Sequence, residues 1–284
     1  MRIVYSILHY MAKQETIECV QSILESTKDS VHETKIIVVD NGSPNNSYQD
    51  LKKAFANNEQ VIILYIEQNL GFARGNNVGF QYAKEKLNAD FIVLLNNDTL
   101  IYQADFNEII VQKYLQYHYA VLGPDIITLD GCHQNPGKEV KWTNKKLMMF
   151  RIKKYIQFFL ASFSVFDNFL TVNESAFSRE RIAVDVLNTK LHGACLIFSK
   201  EYIFKFDGLY NKTFLYMEED ILKLRAEYYG YLMMYTPDIT IQHKEDIATN
   251  MIAIKSIDKK KRIYKNLLDS SKVYANLKKQ YKKG

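Results

Sequence analysis

The sequence predicts an α/β domain with a mostly parallel central sheet and helices on both faces. Three observations carry that prediction. Short apolar runs recur through the first hundred residues, apolar at consecutive positions, as in strands buried on both faces. Helical stripes separate them at the spacing of β–α–β units. Two of the runs stop at an acid among turn residues: 36–39 runs into Asp40-Asn41-Gly42-Ser43-Pro44, and 91–95 into Asn96-Asn97-Asp98.

The elements follow in order. Residues 3–8 read as the first strand, and Ile17, Val20, Ile23 and Leu24 make a helical stripe over 16–25. Residues 35–40 and 61–66 are the second and third strands. A glycine-bearing stretch, 69–77, then opens a helix running to Leu87, and 91–95 is the fourth strand. Ligands bind at the carboxyl edge of an open parallel sheet, so Asp40 and Asp98 are expected on one edge although 58 residues apart. Asn-Asn-Asp is also ordinary turn chemistry, and only its context argues for a site.

Composition narrows the class. The 284 residues are 47% hydrophobic and 24% charged, as in a soluble globular protein. Three scattered cysteines (Cys19, Cys132, Cys195) fit a reducing compartment and neither a disulfide framework nor a zinc site. The opening apolar run is too short for a signal peptide and no run is long enough for a membrane span, so a cytoplasmic protein is expected, at most at the inner face of the cell membrane. The net charge of +5 is uneven. Residues 247–284 hold eleven Lys or Arg against two Asp, a balance of +9, which leaves −4 for residues 1–246.

Motifs exclude two nucleotide folds. No Gly-x-Gly-x-x-Gly follows the first strand, where His9-Tyr10-Met11-Ala12 stands, and no P-loop lysine motif occurs. What remains is a nucleotide site built on acids and a metal.

An ordered set of blocks identifies the relatives. Val39-Asp40-Asn41-Gly42-Ser43, then Asn69 through Gly79, then Leu95-Asn96-Asn97-Asp98 come first. His192-Gly193-Ala194-Cys195, Phe206-Asp207-Gly208 and Phe214-Leu215-Tyr216-Met217-Glu218-Glu219-Asp220-Ile221 with Arg225 follow, and Tyr235-Thr236-Pro237 and His243 close the series. Together they resemble a family 2 nucleotide-sugar glycosyltransferase of the GT-A (nucleotide-diphospho-sugar transferase) fold, nearest the bacterial branch that builds capsule, O-antigen and rhamnan polysaccharides.

The resemblance implies a GT-A domain over 1–246 and a basic helical tail over 247–284. Within the domain it implies a nucleotide-binding half (1–125) and an acceptor half (126–246). Asp40 would hold base and ribose, and Tyr10 would flank the base. Gly71, Arg74 and Asn77 would line the nucleotide side with Asn96 and Asn97. Asp98 keeps the last acid of the family's Asp-x-Asp and would hold a divalent metal (Mn²⁺ or Mg²⁺), with His243 as helper or else a solvated loop histidine. Asp220 would be the general base, and His192, Gly193 and Glu219 would meet the acceptor. The implied donor is a UDP- or dTDP-sugar, the implied acceptor a glycan or lipid-linked hydroxyl. The alternative is a non-catalytic nucleotide-sugar-binding subunit of another transferase. Nucleic acid is not expected, since no recognition motif is present.

Two segments depart from the core pattern. Residues 141–170 mix basic and aromatic side chains around the single Trp142. They read as an inserted amphipathic helix packed on the body or at a dimer contact, or as an interfacial helix over a lipid-linked acceptor. From residue 254 the tail reads as a helix with Tyr264, Leu267, Leu268, Tyr274, Leu277 and Tyr281 on one face. It would either dock on the domain or anchor it to an anionic membrane surface.

Overall fold

The apolar runs of the first hundred residues are the strands β1 (Arg2–His9), β2 (Glu33–Asn41), β3 (Val61–Ile66) and β4 (Phe91–Asn96), and they lie parallel in the order β3-β2-β1-β4. In this computed structural model residues 1–161, 178–245 and 256–282 are described. β1 shows why the runs are continuous. Ile3, Tyr5 and Ile7 pack on one face with Val20 and Ile23, while Val4 packs on the other with Phe80 and Ala83. The first group belongs to α1 (Lys13–Ser26), the second to α3 (Phe72–Glu85), so helices cover both faces as expected.

Beyond β4 the sheet becomes mixed. β8 (Cys195–Ser199) pairs antiparallel with β4, and β6 (Val121–Thr128) pairs antiparallel with β8 and parallel with β9 (Met233–His243). β5 (Thr99–Leu100) and β7 (Val186–Leu187) each lie antiparallel to β9. The parallel expectation thus describes the first half, and a mixed sheet completes the second.

The remaining helices are α2 (Ser47–Ala54), α4 (Phe106–Tyr117), α5 (Asn144–Leu160), α6 (Lys200–Lys205), α7 (Glu218–Tyr229) and α8 (Ser256–Tyr281). α5 is the helix expected in the insertion, started by Thr143, whose hydroxyl accepts from the Lys146 amide at 3.1 Å. Residues 162–170 of that segment and 246–255 lie outside the described residues. α8 docks through the apolar face read from the sequence. Tyr274 and Leu277 are buried with Leu147, Met217 and Ile221, and Tyr264 is buried with Ala161. The start of α5 meets the end of α8 and the end of α5 its beginning, so the two helices run antiparallel.

Candidate active site

The two acid-tipped strands flank β1 on one edge, because the register sets His9 beside Asp40 and Leu8 beside Asn96. Asp40 is fully buried, one oxygen accepting from the Ser43 amide at 2.8 Å and the other without a hydrogen-bond partner. Beside it His9 is held by the hydroxyls of Thr16 and Ser47, both at 2.7 Å. Burial lowers the His9 pKa to about 4, with Asp40 opposing, so a neutral imidazole abuts the buried carboxylate. Tyr10 follows, half-buried at the mouth of the edge.

The 69–77 stretch is pinned across the edge. Asn41 accepts from the Leu70 amide at 2.9 Å and donates to Gly71 O at 3.3 Å. Gly71 has φ +81°, and a Cβ there would lie 2.3 Å from Phe214 O, the carbonyl that accepts from the Phe72 amide at 2.8 Å. Only glycine allows that approach. Arg74 is exposed, its Nε donating to Leu70 O at 3.0 Å. Asn77 is turned away from the edge. Its amide donates to Leu209 O at 2.8 Å and accepts from Leu209 N at 2.7 Å, making it a brace between α3 and the 208–209 turn. Asn97 is likewise engaged with Thr16 Oγ1 at 3.0 Å and Ala12 O at 3.3 Å, whereas Asn96 stays half-exposed.

Asp98 and His243 stand together although 145 positions separate them. The β5–β9 pairing sets Thr99 opposite His243, and the Lys244 amide donates to Asp98 O at 2.9 Å. Both side chains are buried, with His243 Nε2 3.2 Å from Asp98 Oδ1. Gln134 orients the ring: its amide nitrogen donates to Glu245, so its oxygen faces His243 and accepts from Nδ1–H at 2.7 Å. That leaves Nε2 facing Asp98 Oδ1, and a neutral ring would offer its lone pair there beside a carboxylate oxygen. Two acceptors at this separation suit a shared cation, since neighbouring ligands of an octahedral Mg²⁺ lie about 3 Å apart. Among the described residues no three His, Cys, Asp or Glu side chains cluster as a metal site, so further ligands would come from a bound diphosphate or water. His192, with ring centroid 5.9 Å from that of His243, is kept neutral, burial lowering its pKa to about 3.

α7 carries three acids in its first turn, where a helix N-terminus favours negative charge, and sets one of them against the His192-Gly193 pair. Glu218 points inward and is buried, its pKa raised to about 7 by burial and then by Glu219. Glu219 lies against Gly193, where a Cβ would come within 2.8 Å of its Oε1. Burial pushes the Glu219 pKa up, with Lys190 pulling against it. Asp220 has both oxygens engaged, Oδ1 accepting from Trp142 Nε1 at 2.9 Å and Oδ2 from Lys190 Nζ at 2.8 Å. It lines an open cavity of about 460 Å³ with Trp142, Lys190, Lys223, Tyr274 and Lys278.

Gln134 and Lys190 carry no motif and could not be read as site residues. Trp142 is conspicuous in sequence as the single tryptophan, but its bond to Asp220 is visible only in three dimensions.

The family model described as Glycosyl transferase family 2 matches residues 7–172, more than half of the chain. No curated protein matches the sequence. Solved structures similar to the chain include that of S. aureus TarS 1-349, with TM-score 0.56 and 13% identity over 91% of this chain and 68% of that one. The TarS complex with UDP-GlcNAc matches with TM-score 0.52 and 13% identity, over 89% of this chain and 62% of that one. The complex with UDP gives 0.53 and 12%, over 91% and 68%. At such identity the likeness establishes the fold.

Proposed function

The chain belongs to glycosyl transferase family 2, and from that premise we propose that it moves a sugar, with inversion, from a nucleoside diphosphate sugar to a hydroxyl of a glycan or lipid-linked acceptor in surface polysaccharide synthesis. The observation that carries the reading is a chain of contacts between two acidic groups: Asp98 pairs with His243, the His243 ring lies 5.9 Å from that of His192, and the neighbouring Gly193 lies against Glu219 at the start of α7. The UDP and UDP-GlcNAc complexes of the TarS structure support a nucleotide-sugar donor, and UDP or dTDP is the nucleotide proposed.

In this reading Asp40, with an unpartnered buried oxygen, holds the base or ribose beside Tyr10. Gly71, Arg74 and Asn96 line the nucleotide side. Asp98 and His243 would hold a divalent cation, which when bound would offset the charge developing on the leaving diphosphate. The acceptor oxygen attacks the anomeric carbon on the face opposite the departing diphosphate. Its proton passes to a carboxylate as the new bond forms and the old carbon–oxygen bond breaks.

Two carboxylates compete for that proton. Asp220 is the base that the family pattern suggests, yet taking a proton would require it to release Lys190 or Trp142. Glu219 lies against Gly193 of the His192-Gly193 pair, with a carboxyl whose pKa burial raises, and a base nearer neutrality is the more effective one. We therefore favour Glu219 as the proton acceptor, with Asp220 ordering Lys190 and Trp142 at the acceptor mouth. The lysine excess of the tail supports an anionic membrane surface as a further contact. No helix among the described residues is long and apolar enough to cross a membrane.

The test is binding and turnover by the purified chain. UDP or dTDP should raise the unfolding temperature, more so with Mn²⁺, and the matching nucleotide-sugar should be slowly hydrolysed. Binding without hydrolysis or transfer would leave only the non-catalytic subunit.

A further inference from the structure

Among the described residues nothing covers a broad apolar stripe of α5. At 3.6 residues per turn, Met148, Met149, Ile152, Tyr155 and Ile156 fall within an arc of about 120°. Each is between 50 and 62% exposed. The opposite arc is already covered by α8. Leu147 is buried with Tyr274 and Leu277, Lys154 Nζ lies 5.2 Å from the Tyr264 ring centre, and Lys261 Nζ lies 5.6 Å from that of Phe158. A helix that needs only one partner carries one apolar stripe, and its outward face is polar. This helix carries two. A contiguous outward stripe of large apolar side chains marks a surface that something covers.

The charges around the stripe select the occupant. α5 contains five lysine or arginine residues and no acid. Lys145 and Lys153, both exposed, lie at or beside the stripe. A second copy of the chain would set these cations against their own kind. A flat apolar stripe edged with lysine, whose long stems reach back toward water, fits the interface of an anionic bilayer. We propose that α5 lies in the plane of an anionic membrane surface, with Met148, Met149, Ile152, Tyr155 and Ile156 sunk among the acyl chains. The stripe supplies the apolar half of the contact, and the basic residues of α5 supply the ionic half. Trp142, directly before the α5 cap, donates to Asp220, so the helix would carry the acceptor wall of the cleft to the membrane with it. Membrane binding does not depend on which carboxylate takes the proton. That a lipid-linked acceptor is met there rests on the transferase reading.

The experiment is co-sedimentation of the full-length protein with vesicles of phosphatidylcholine alone or mixed with phosphatidylglycerol. Binding is expected to the mixed vesicles, weakened but not abolished by high salt, because screening acts on the charges and not on the stripe. Ile152→Glu with Ile156→Glu should lower affinity at least tenfold. Both side chains face solvent, so the unfolding temperature and nucleotide affinity should hold. Lys153→Glu should lower affinity less and lose part of the salt dependence. Unchanged binding by the double variant would overturn the proposal. So would absence of binding by the native chain, or a native dimer that the double variant dissociates without any vesicle binding. Nucleotide affinity, measured on the same preparations, separates failure here from failure of the transferase reading.

Discussion

The nucleotide and acceptor sides of the proposed site are built in opposite ways. The nucleotide wall stands on adjacent parallel strands, where Asp40, Asn96 and Asp98 are held by ladder register and by turns a few residues long. The acceptor side gathers Trp142, Lys190 with Gly193, and Glu219-Asp220 from three separate stretches, joined to one another mainly through side-chain contacts. A ladder engages the N–H and C=O of successive residues with neighbouring strands, so its edge is set by the core. The acceptor wall has no such frame. Its geometry depends on one indole, one ammonium and a helix start, all next to the α5–α8 pair. The nucleotide side is therefore expected to be rigid, and the acceptor side responsive to what docks on it.

The largest effect should come from the acceptor wall. With Glu219 as the base, Glu219→Gln should lower transfer by about 10²–10⁴ while nucleotide affinity hardly changes. Asp220→Asn should then cost less and mainly raise the KM for the acceptor. Steady-state kinetics on both variants decides between them, and the reverse order would return the role to Asp220. Normal turnover by both would remove the pair from the chemistry.

Next comes the nucleotide wall. Asp98→Asn removes the carboxylate whose Oδ1 faces His243 without a hydrogen-bond partner, so the gain in UDP or dTDP affinity from Mn²⁺ should fall by at least about tenfold. Calorimetry with and without metal reads it. An equally metal-dependent mutant would separate Asp98 from the cation.

Glu218 gives a pH signature of the α7 start. Its folded pKa of about 7 lies above the ordinary glutamate value of 4.5, so its ionisation opposes folding increasingly as pH rises between those values. Glu218→Gln should stabilise the protein, by about 2 kcal/mol more at pH 8 than at pH 5. Denaturant unfolding at the two pH values measures the difference, and a pH-independent effect would contradict it.

The smallest effect tests the mouth of the acceptor cavity. Trp142→Phe removes the indole N–H from Asp220 and retains the ring packing on Phe150 and Tyr274, at a cost of about 1 kcal/mol in stability. If Asp220 orders the mouth, acceptor KM should move in this variant as in Asp220→Asn, with donor affinity fixed.

Local rules decided the first half of the fold. Continuous apolar runs marked β1 to β4, turn chemistry marked the ends at Asp40 and Asp98, and a one-sided apolar pattern marked α8, because strand burial, turns and helix faces are written within a few residues of each other. The ordered motifs likewise marked His192, Glu219, Asp220 and His243 before any of them had neighbours. Tertiary structure alone decided what each one faces. β9 against β5 brings His243 to Asp98, Gln134 orients its ring, and Lys190 with Trp142 occupies Asp220 and leaves Glu219 against Gly193. Asn77 and Asn97, nucleotide residues by motif, turn inward to brace the backbone, since a buried amide takes the partners within reach. α5 shows the same division. Its sequence gives a helix, but which of its two apolar arcs is covered depends on where α8 docks, and that is fixed by packing between segments about a hundred residues apart, which no local pattern records.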